Sequence, residues 1–464
     1  MSRRVAAVLL AAFALTALAT PAFGDGTATT ADTQVAQTFA GNELSFDIRR
    51  PQVVPGPLQV DVFAHDPVTP TVLTIAATAL EGDQPQPADD TGTIRLVAGQ
   101  RGRYSTTLQV DRAGRWELDL RSSDGQTGIL PFRVLVPVAS SWEKVAYPGF
   151  ALAGLLIFGA LVTLALGRRV YGGIQAVAAI VSLAVALTAI GLSPSIPVAA
   201  PLGSVPTVAY TSGDGSSFNA LPYATATVST APAQPVAGQD FVLRIQLDDG
   251  ATGRWLDDLV PHHGALAHTV VTSADCQFFA HVHPVLTSDN VLEVHLTVDH
   301  PGKYLAQTEI ERANSGAQLV TGTFEVGGAD VVTPPAPEDG SVTGAVTTTP
   351  ARPVANQPTE LDVTVTANGQ PAQDLQPWLG MAGHLFVRDP RDELLGHIHE
   401  MTSMAAQSQP GALIPDETVA QYGPVLRFTF SFPAAGTYPV WVQYERDFHV
   451  YTTRTTITVG AEQQ

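Results

Sequence analysis

The sequence predicts a mainly β protein, in which three β-sandwich modules are combined with one pair of membrane-spanning helices. Only 14% of the 464 residues are charged, and Val, Thr, Gly and Pro are frequent. Such a composition favours short strands joined by turns over long solvent-exposed helices. Several segments alternate apolar and polar residues with the period of a β-strand. Two uncharged apolar runs of about 20 residues are long enough to span a membrane.

The N-terminus has the layout of a secretory signal peptide. Arg3 and Arg4 precede the apolar run 5–18, and small residues surround Phe23. We therefore predict a signal peptide over residues 1–24 that is cut just before Asp25. An uncleaved N-terminal anchor is the alternative. In both cases the segment that follows is carried across the membrane.

Residues 33–137 are predicted to form the first extracytoplasmic module. Period-two alternation occurs in 58–63, 104–110, 114–120 and 132–136, and Gly, Pro and Asp residues separate these stretches. This pattern is typical of a β-sandwich of immunoglobulin-like type. The one histidine of this module, His65, is expected at the surface or in a turn.

Residues 148–192 are predicted to form a transmembrane helical hairpin. Two apolar runs, 148–167 and 174–192, flank a short turn that contains Arg168 and Arg169. Arginines in such a turn favour the cytoplasmic side. The hairpin would then place both the N-terminal and the C-terminal domains outside the cytoplasm. Residues 193–222 are rich in Pro, Ser and Gly and are predicted to be an extended linker.

The C-terminal half contains an internal repeat. We predict a second module over 224–326, a Pro-rich linker over 327–340 and a third module over 341–459. The block 258–284 aligns without a gap with the block 374–400, at an offset of 116 residues. A closing Gly-x-Tyr strand matches at an offset of 134, so the third module carries 18 extra residues after its block.

Three histidines are retained in both copies of the repeat, and they are the predicted metal ligands. They are His268, His281 and His283 in the second module, and His384, His397 and His399 in the third. On a strand, a His-x-His pair presents both rings on one face. A hairpin would bring His384 opposite His397 or His399, where Cβ atoms are about 4.5–5.5 Å apart. Neutral imidazole suits copper, zinc, nickel and iron, and it does not by itself choose among them.

Other donors near these histidines are weaker candidates. Met401 and Met404 follow the His-x-His pair of the third module, and their thioethers would favour Cu(I). They could equally be hydrophobic filler. The second module has four further histidines: His262, His263, His295 and His300. The single cysteine, Cys276, excludes an intrachain disulfide and is expected to be a free thiol.

The net charge and the catalytic motifs that the sequence lacks argue against several classes of function. The net charge of -19 argues against nucleic acid as a partner. The chain has no Gly-rich phosphate loop, no Gly-x-Ser-x-Gly elbow and no His-Glu-x-x-His helix. We therefore expect no enzymatic activity. The favoured interpretation is a cell-membrane protein that binds or delivers a transition metal. The alternative is a metal-free adhesion or assembly scaffold that binds partner proteins.

The first module resembles the YtkA-like and FixH-like domains, which are small extracytoplasmic β-sandwiches that are usually membrane-tethered. The residues that carry this resemblance are 58–66, 102–104 and 114–118. The resemblance implies an envelope location and a tethered sandwich.

The second and third modules resemble bacterial secreted domains with the pattern Gly-x-x-x-His, a turn, and His-x-His. Here Gly264 precedes His268, and Gly380 precedes His384. Such domains are associated with copper handling or respiratory-oxidase assembly. The resemblance therefore implies copper as the ion and an envelope metalloprotein under assembly as a partner. The third module departs from the pattern at Glu400, where the family has proline.

Overall fold

A computed structural model describes most of the chain as two compact units, one helical and one β. The described residues are 33–49, 51, 53–81, 84–85, 90–134, 142–192, 210–211, 217–218, 223–313, 315–331, 341–389, 391, 395–408 and 413–461. The predicted signal peptide lies outside them, as do nearly all of the linker 193–222 and residues 332–340 of the Pro-rich linker.

The helical unit consists of α1 (Glu143–Ala165) and α2 (Arg169–Leu192). Ser182 Oγ donates a hydrogen bond to the Gly149 carbonyl (2.9 Å), and Thr163 Oγ1 donates one to Gln175 Oε1 (2.8 Å). Most of the large apolar side chains of both helices are exposed. Each helix is long and apolar enough to cross a membrane, and a pair joined by polar bonds with an apolar outer surface suits that environment.

Module 1 is a sandwich of two antiparallel sheets. Its strands are β1 (Thr33–Phe39), β2 (Asn42–Arg49), β3 (Gly56–Ala64), β4 (Thr71–Glu81), β5 (Gln84–Pro85), β6 (Thr91–Leu96), β7 (Gly102–Val110), β8 (Gly114–Ser122) and β9 (Thr127–Val134). One sheet has the order β1-β2-β3-β7, and the other contains β4, β5, β6, β8 and β9. Residues that alternate along these strands fill the space between the sheets, with Trp116 among the largest buried side chains.

Module 2 follows a short pair of strands, β10 (Tyr210–Thr211) and β11 (Ser217–Phe218). Its strands are β12 (Ala224–Ala231), β13 (Phe241–Asp249), β14 (Leu259–Val260), β15 (Ala267–Ser273), β16 (Phe279–Val282), β17 (Val285–Leu286), β18 (Val291–Leu296), β19 (Gly302–Arg312) and β20 (Gly316–Val326). Strands β14, β15, β16, β19 and β20 form one sheet, and β12, β13, β17 and β18 lie in the other.

Module 3 repeats this plan. Its strands are β21 (Val342–Thr349), β22 (Pro358–Ala367), β23 (Gln370–Pro371), β24 (His384–Arg388), β25 (Leu395–His399), β26 (Val425–Ser431), β27 (Gly436–Arg446) and β28 (His449–Val459). The sheet β25-β24-β27-β28 faces the sheet of β21, β22, β23 and β26. The extra residues of this module include α3 (Met401–Gln407), whose N-terminus is capped by the side chain of Glu400.

Each module has its own hydrophobic core, and the three modules also pack directly against one another. Strand β9 of module 1 pairs with β17 of module 2 through Ile129 and Leu286, so that one nine-stranded sheet runs through both modules. Ala36, Ala265 and Trp378, one from each module, share a small apolar cluster. The predicted fold class, mainly β with three immunoglobulin-like sandwiches and a helical hairpin, is confirmed, whereas the continuous sheet was not foreseen.

Candidate metal centre

The hairpin of β15 and β16 brings together the three histidines of module 2, which we call triad 1. Thr269 pairs with Val282, so His268 and His283 lie at the same end of this hairpin. His268 Nδ1 lies 3.3 Å from His281 Nε2 and 3.2 Å from His283 Nε2. His268 and His283 are fully buried. Three ring nitrogens therefore converge on one point inside the protein.

The outer nitrogen of each ring in triad 1 donates to a fixed oxygen. His268 Nε2 donates to the His262 carbonyl (2.9 Å), His281 Nδ1 to Gln443 Oε1 (3.0 Å) and His283 Nδ1 to Glu43 Oε1 (2.5 Å). Gln443 Nε2 donates to Thr452, which orients its amide. Because a neutral imidazole has one N–H, the inner nitrogens carry lone pairs. Oxygen partners on the far ring nitrogen are characteristic of histidine metal ligands.

The histidines of module 3 repeat this arrangement and form triad 2. His384 lies opposite His399 in the pairing of β24 with β25. His384 Nδ1 lies 3.4 Å from His397 Nε2, and His399 Nε2 is buried without a hydrogen-bond partner. His384 Nε2 donates to the Trp378 carbonyl (3.1 Å), and His397 Nδ1 donates to Glu309 Oε2 (2.8 Å).

In each triad, one histidine ring is hydrogen-bonded to a side chain from the other histidine-bearing module. Gln443 of module 3 holds His281 of module 2, and Glu309 of module 2 holds His397 of module 3. Glu309 and Gln443 occupy equivalent positions of the repeat, since they pair with His268 and His384 respectively. Each triad is therefore completed by the neighbouring module.

The spacing of the inner nitrogens fits one ion per triad. Metal–nitrogen bonds of about 2.0–2.1 Å in tetrahedral geometry place neighbouring nitrogens roughly 3.3–3.4 Å apart. The three separations given above span 3.2–3.4 Å. In each triad all three donor atoms lie within 4.8 Å of one another. The triads can therefore accept an ion with little rearrangement.

Burial favours the neutral form of four of these imidazoles. It lowers the pKa of His268, His281 and His384 well below the usual value, and neighbouring imidazoles lower each of them further. The pKa of His399 is lowered in the same way, mainly by burial and further by the neighbouring His384 and His397 rings. Because only the neutral ring offers a lone pair, proton competition for these positions is weak.

The two triads are immediate neighbours across the interface between modules 2 and 3. The ring of His397 lies 5.5 Å from that of His268 and 5.6 Å from that of His281, measured between centroids. The rings of His281 and His384 are 6.0 Å apart. We call these six rings the histidine cluster. The sequence predicted two separate groups, and the packing of the modules joins them.

The other predicted donors lie in different surroundings. Met401 is half-exposed, and its Sδ accepts a hydrogen bond from Thr429 (3.3 Å). Met404 lines an open pocket that His263 also lines. Cys276 is a buried free thiol that packs against Val270, Phe386 and Trp441, and burial raises its pKa.

Several residues of the centre were missed by the sequence analysis. Glu43 comes from module 1 and meets His283 across 240 residues of chain. Glu309 and Gln443 lie on the strands that pair with His268 and His384, and that pairing is the one signal that could have identified them. No sequence pattern identifies Glu43 as a partner of His283.

The expectation for His65 is wrong, because this residue is fully buried. Its Nδ1 lies 2.7 Å from Glu445 of module 3, and its Nε2 lies 2.7 Å from Ser45 Oγ. The module 3 surface that covers it could not be foreseen from module 1 alone. His65 therefore joins modules 1 and 3 and is not a surface residue.

The solved structures similar to this chain share little sequence with it. Trypsin-activated alpha-2-macroglobulin from Escherichia coli is 9% identical, with a TM-score of 0.17, over 89% of this chain and 23% of its own, so this chain spans about a quarter of that protein. The Yersinia pseudotuberculosis adhesin InvE is 13% identical, with a TM-score of 0.16, over 50% of this chain and 58% of its own. A putative membrane anchored protein from Corynebacterium diphtheriae is 11% identical, with a TM-score of 0.15, over 91% and 92%.

One family model matches the chain, and it matches twice. The family is described as "Domain of unknown function (DUF8832)", and the matched residues are 223–327 and 340–461. No curated protein matches. The two matches coincide with modules 2 and 3, so the histidine-bearing half of the chain is similar to two copies of one domain whose function is not known.

Proposed function

We propose that this protein binds a transition metal, with copper as the favoured ion, in the histidine cluster at the outer face of a membrane. The observation that carries the proposal is the direction of the ring nitrogens. In triad 1 all three outer nitrogens donate to oxygen, and the inner nitrogen of His268 lies 3.2–3.3 Å from those of His283 and His281. Lone pairs at that distance repel one another, and a cation between them removes the repulsion.

The charge around each triad favours a monovalent ion. One carboxylate is bonded to each triad, Glu43 to His283 and Glu309 to His397. A buried ion is costly unless opposite charge lies close by, and one carboxylate balances one positive charge. Cu(I) fits this balance, whereas Zn(II) would leave an excess positive charge at each site. This reasoning favours copper and keeps zinc as the second candidate.

The surroundings of the cluster favour carriage or delivery over catalysis. Neighbouring strands and modules cover most of the ring surfaces. His281 of triad 1 lines an open pocket of about 390 Å³, which offers a route by which an ion would enter or leave. The two apolar helices would tether the β unit to a membrane. We propose the extracytoplasmic side for both halves of the β unit, since the turn at Arg168 and Arg169 favours the cytoplasm. The recipient of the ion would be an envelope metalloprotein under assembly.

The test is a titration of the full-length protein in detergent with Cu(I), Cu(II) and Zn(II). The test variant is His384→Ala/His397→Ala/His399→Ala. The matched control, His295→Ala/His300→Ala/His449→Ala, removes three histidines that lie outside the cluster and contact carboxylates. We expect tight Cu(I) binding by the wild type and the control, and one ion fewer in the test variant. Weak binding that is equal in all three proteins would exclude a metal carrier and favour the protein-binding scaffold.

A further inference from the structure

A third group of metal donors lies beside the histidine cluster and consists of His262, His263 and Glu309. The donor atoms of these residues lie within 4.8 Å of one another. His262 Nε2 is 3.5 Å from Glu309 Oε1, and the rings of His262 and His263 have centroids 3.7 Å apart. His263 Nδ1 is buried without a hydrogen-bond partner. Two imidazoles and a carboxylate form a donor set that zinc commonly occupies.

The repeat supplies an internal comparison for these residues. At the equivalent positions module 3 has Trp378 for His262, Leu379 for His263 and Gln443 for Glu309. The backbone makes the same turn in both copies: His262 pairs with Ala265 as Trp378 does with Met381, and His263 (φ 47°) and Leu379 (φ 54°) are both left-handed. The fold therefore does not need donor side chains here. All three donors occur together in one copy and are all replaced in the other.

The third group is connected both to the histidine cluster and to solvent. Glu309 Oε2 accepts from His397 Nδ1, while Oε1 of the same carboxylate faces His262. The ring of His263 lies edge-on to that of His399, with centroids 4.1 Å apart. His263 also lines the open pocket of about 400 Å³ that Met404 borders. An ion in this group would be reached from the pocket and would share Glu309 with triad 2.

The charge at the third group differs from that at the triads. Glu309 is a donor, and a second carboxylate, Glu311, contacts His262 Nδ1. The His262 Nδ1–H is thereby committed to Glu311, so that Nε2, which faces Glu309 Oε1, is the nitrogen that would bind an ion. Two carboxylates therefore lie at this group, a charge that suits a divalent cation, although Glu309 shares its charge with triad 2 through His397.

We infer that His262, His263 and Glu309 form a third metal site, selective for a divalent ion such as Zn(II) or Cu(II), on the solvent side of the histidine cluster. This inference rests on the proposed function, because it adds an ion to a centre whose triads are already loaded. The site exists on one side of the repeat alone, so the protein would hold two equivalent ions and one distinct ion.

The experiment counts Zn(II) bound to the full-length protein in detergent after the triads have been filled with Cu(I) under anaerobic conditions. The test variant is His262→Trp/His263→Leu, which installs the residues that module 3 has at these positions. Neither substitution alters Glu309, which accepts from His397 of triad 2. We expect one Zn(II) per wild-type protein, and binding at least tenfold weaker in the variant with unchanged Cu(I) content.

The remaining outcomes separate failure of the third site from failure of the proposed function. A Cu(I)-loaded wild type that binds no Zn(II), or a variant that binds it as tightly, overturns the third site and leaves the triads intact. A wild type that binds no Cu(I) overturns the proposed function itself. The single variant His263→Leu guards against misfolding of the double variant, since Leu379 shows that leucine suits this backbone, and it should weaken Zn(II) binding in the same direction.

Discussion

At the scale of single residues, the centre depends on side chains that hold the ligand rings from behind. Gln443 accepts from His281 at 3.0 Å, and its own amide is oriented by Thr452. Without an acceptor on Nδ1, the His281 ring is free to rotate or to change tautomer, and Nε2 no longer points at the other two nitrogens.

The variant Gln443→Leu should therefore weaken Cu(I) binding at triad 1 by roughly 10–100-fold, the usual cost of losing such a partner. Competition with a chromophoric Cu(I) chelator measures this change. Gln443→Glu is the matched control, because it keeps the oxygen and copies Glu309, and its affinity should stay near that of the wild type. Equal affinity in all three proteins would show that Gln443 does not position His281.

The second residue-scale feature is the buried His65. Ser45 from β2 and Glu445 from β27 contact its ring, and Glu417 lies 3.6 Å from Nε2, with Glu43 also exerting an electrostatic effect. Burial by itself lowers the pKa of the imidazole, but the carboxylates outweigh burial and raise the pKa to about 10. A charged histidine therefore joins modules 1 and 3.

This arrangement predicts a loss of stability at alkaline pH. The folded pKa of His65 exceeds the unfolded value of about 6.5, so its stabilisation is complete below pH 6.5 and is lost as the pH rises towards 10. Burial also raises the pKa of Asp47 nearby to about 6, which acts in the same direction at lower pH. Between pH 6.5 and 9.5 the free energy of unfolding should fall by on the order of 3 kcal/mol more in the wild type than in His65→Gln. Chemical denaturation of both proteins at the two pH values measures this difference. An equal fall in the free energy of unfolding in the two proteins would contradict the prediction.

At the scale of elements, two strands attach module 1 to module 2. In β1, the amides of Ala36 and Thr38 donate to the carbonyls of Gly264 (2.6 Å) and His283 (2.7 Å). Strand β9 pairs with β17 and continues the sheet between the modules. Strand β1 therefore fixes Thr38, whose hydroxyl donates to the Glu43 carboxylate behind triad 1.

The contact between β9 and β17 is close enough to test by substitution. A Cβ atom added at Gly128 would lie 3.2 Å from Val285 Cβ and 3.7 Å from the Phe39 ring. Gly128→Val should thus separate the strands and reduce the free energy of unfolding by about 1–3 kcal/mol. Urea denaturation measures the effect, and Gly128→Ala should show a smaller one. An unchanged urea midpoint for Gly128→Val would show that the contact between β9 and β17 adjusts without loss of stability.

At the scale of the whole molecule, the metal centre and the packing of the modules depend on each other. Module 1 contributes Glu43, module 2 contributes Glu309 and module 3 contributes Gln443, and each holds a ligand of a triad. An ion that binds the folded protein but not the unfolded chain stabilises the fold in proportion to its affinity.

Saturation with Cu(I) should accordingly stabilise the whole β unit. At a free concentration of 100 times Kd, each occupied triad adds about 2.7 kcal/mol to the free energy of unfolding. Thermal unfolding of the full-length protein with and without Cu(I) should show a single transition that moves upward. The variant His384→Ala/His397→Ala/His399→Ala should show a smaller shift, and a shift of the same size would place the ion elsewhere.

The sequence alone determined the class of fold, the helical pair and the identity of the six clustered histidines. Strand alternation and hydrophobic runs are local patterns, and each follows from the burial of one face or one segment. The repeat made the triads visible, because His268 and His384 stand at the same place in two drifted copies. The hairpins that bring them to their partners are local as well.

Only the tertiary structure decided how the modules meet, and three features of the centre depend on that. The two triads lie side by side, Glu309 and Gln443 are exchanged between modules, and Glu43 reaches His283 from module 1. Packing between modules depends on the shape and polarity of whole surfaces, and no short sequence pattern records it. The burial of His65 escaped prediction for the same physical reason, since the surface that covers it belongs to module 3.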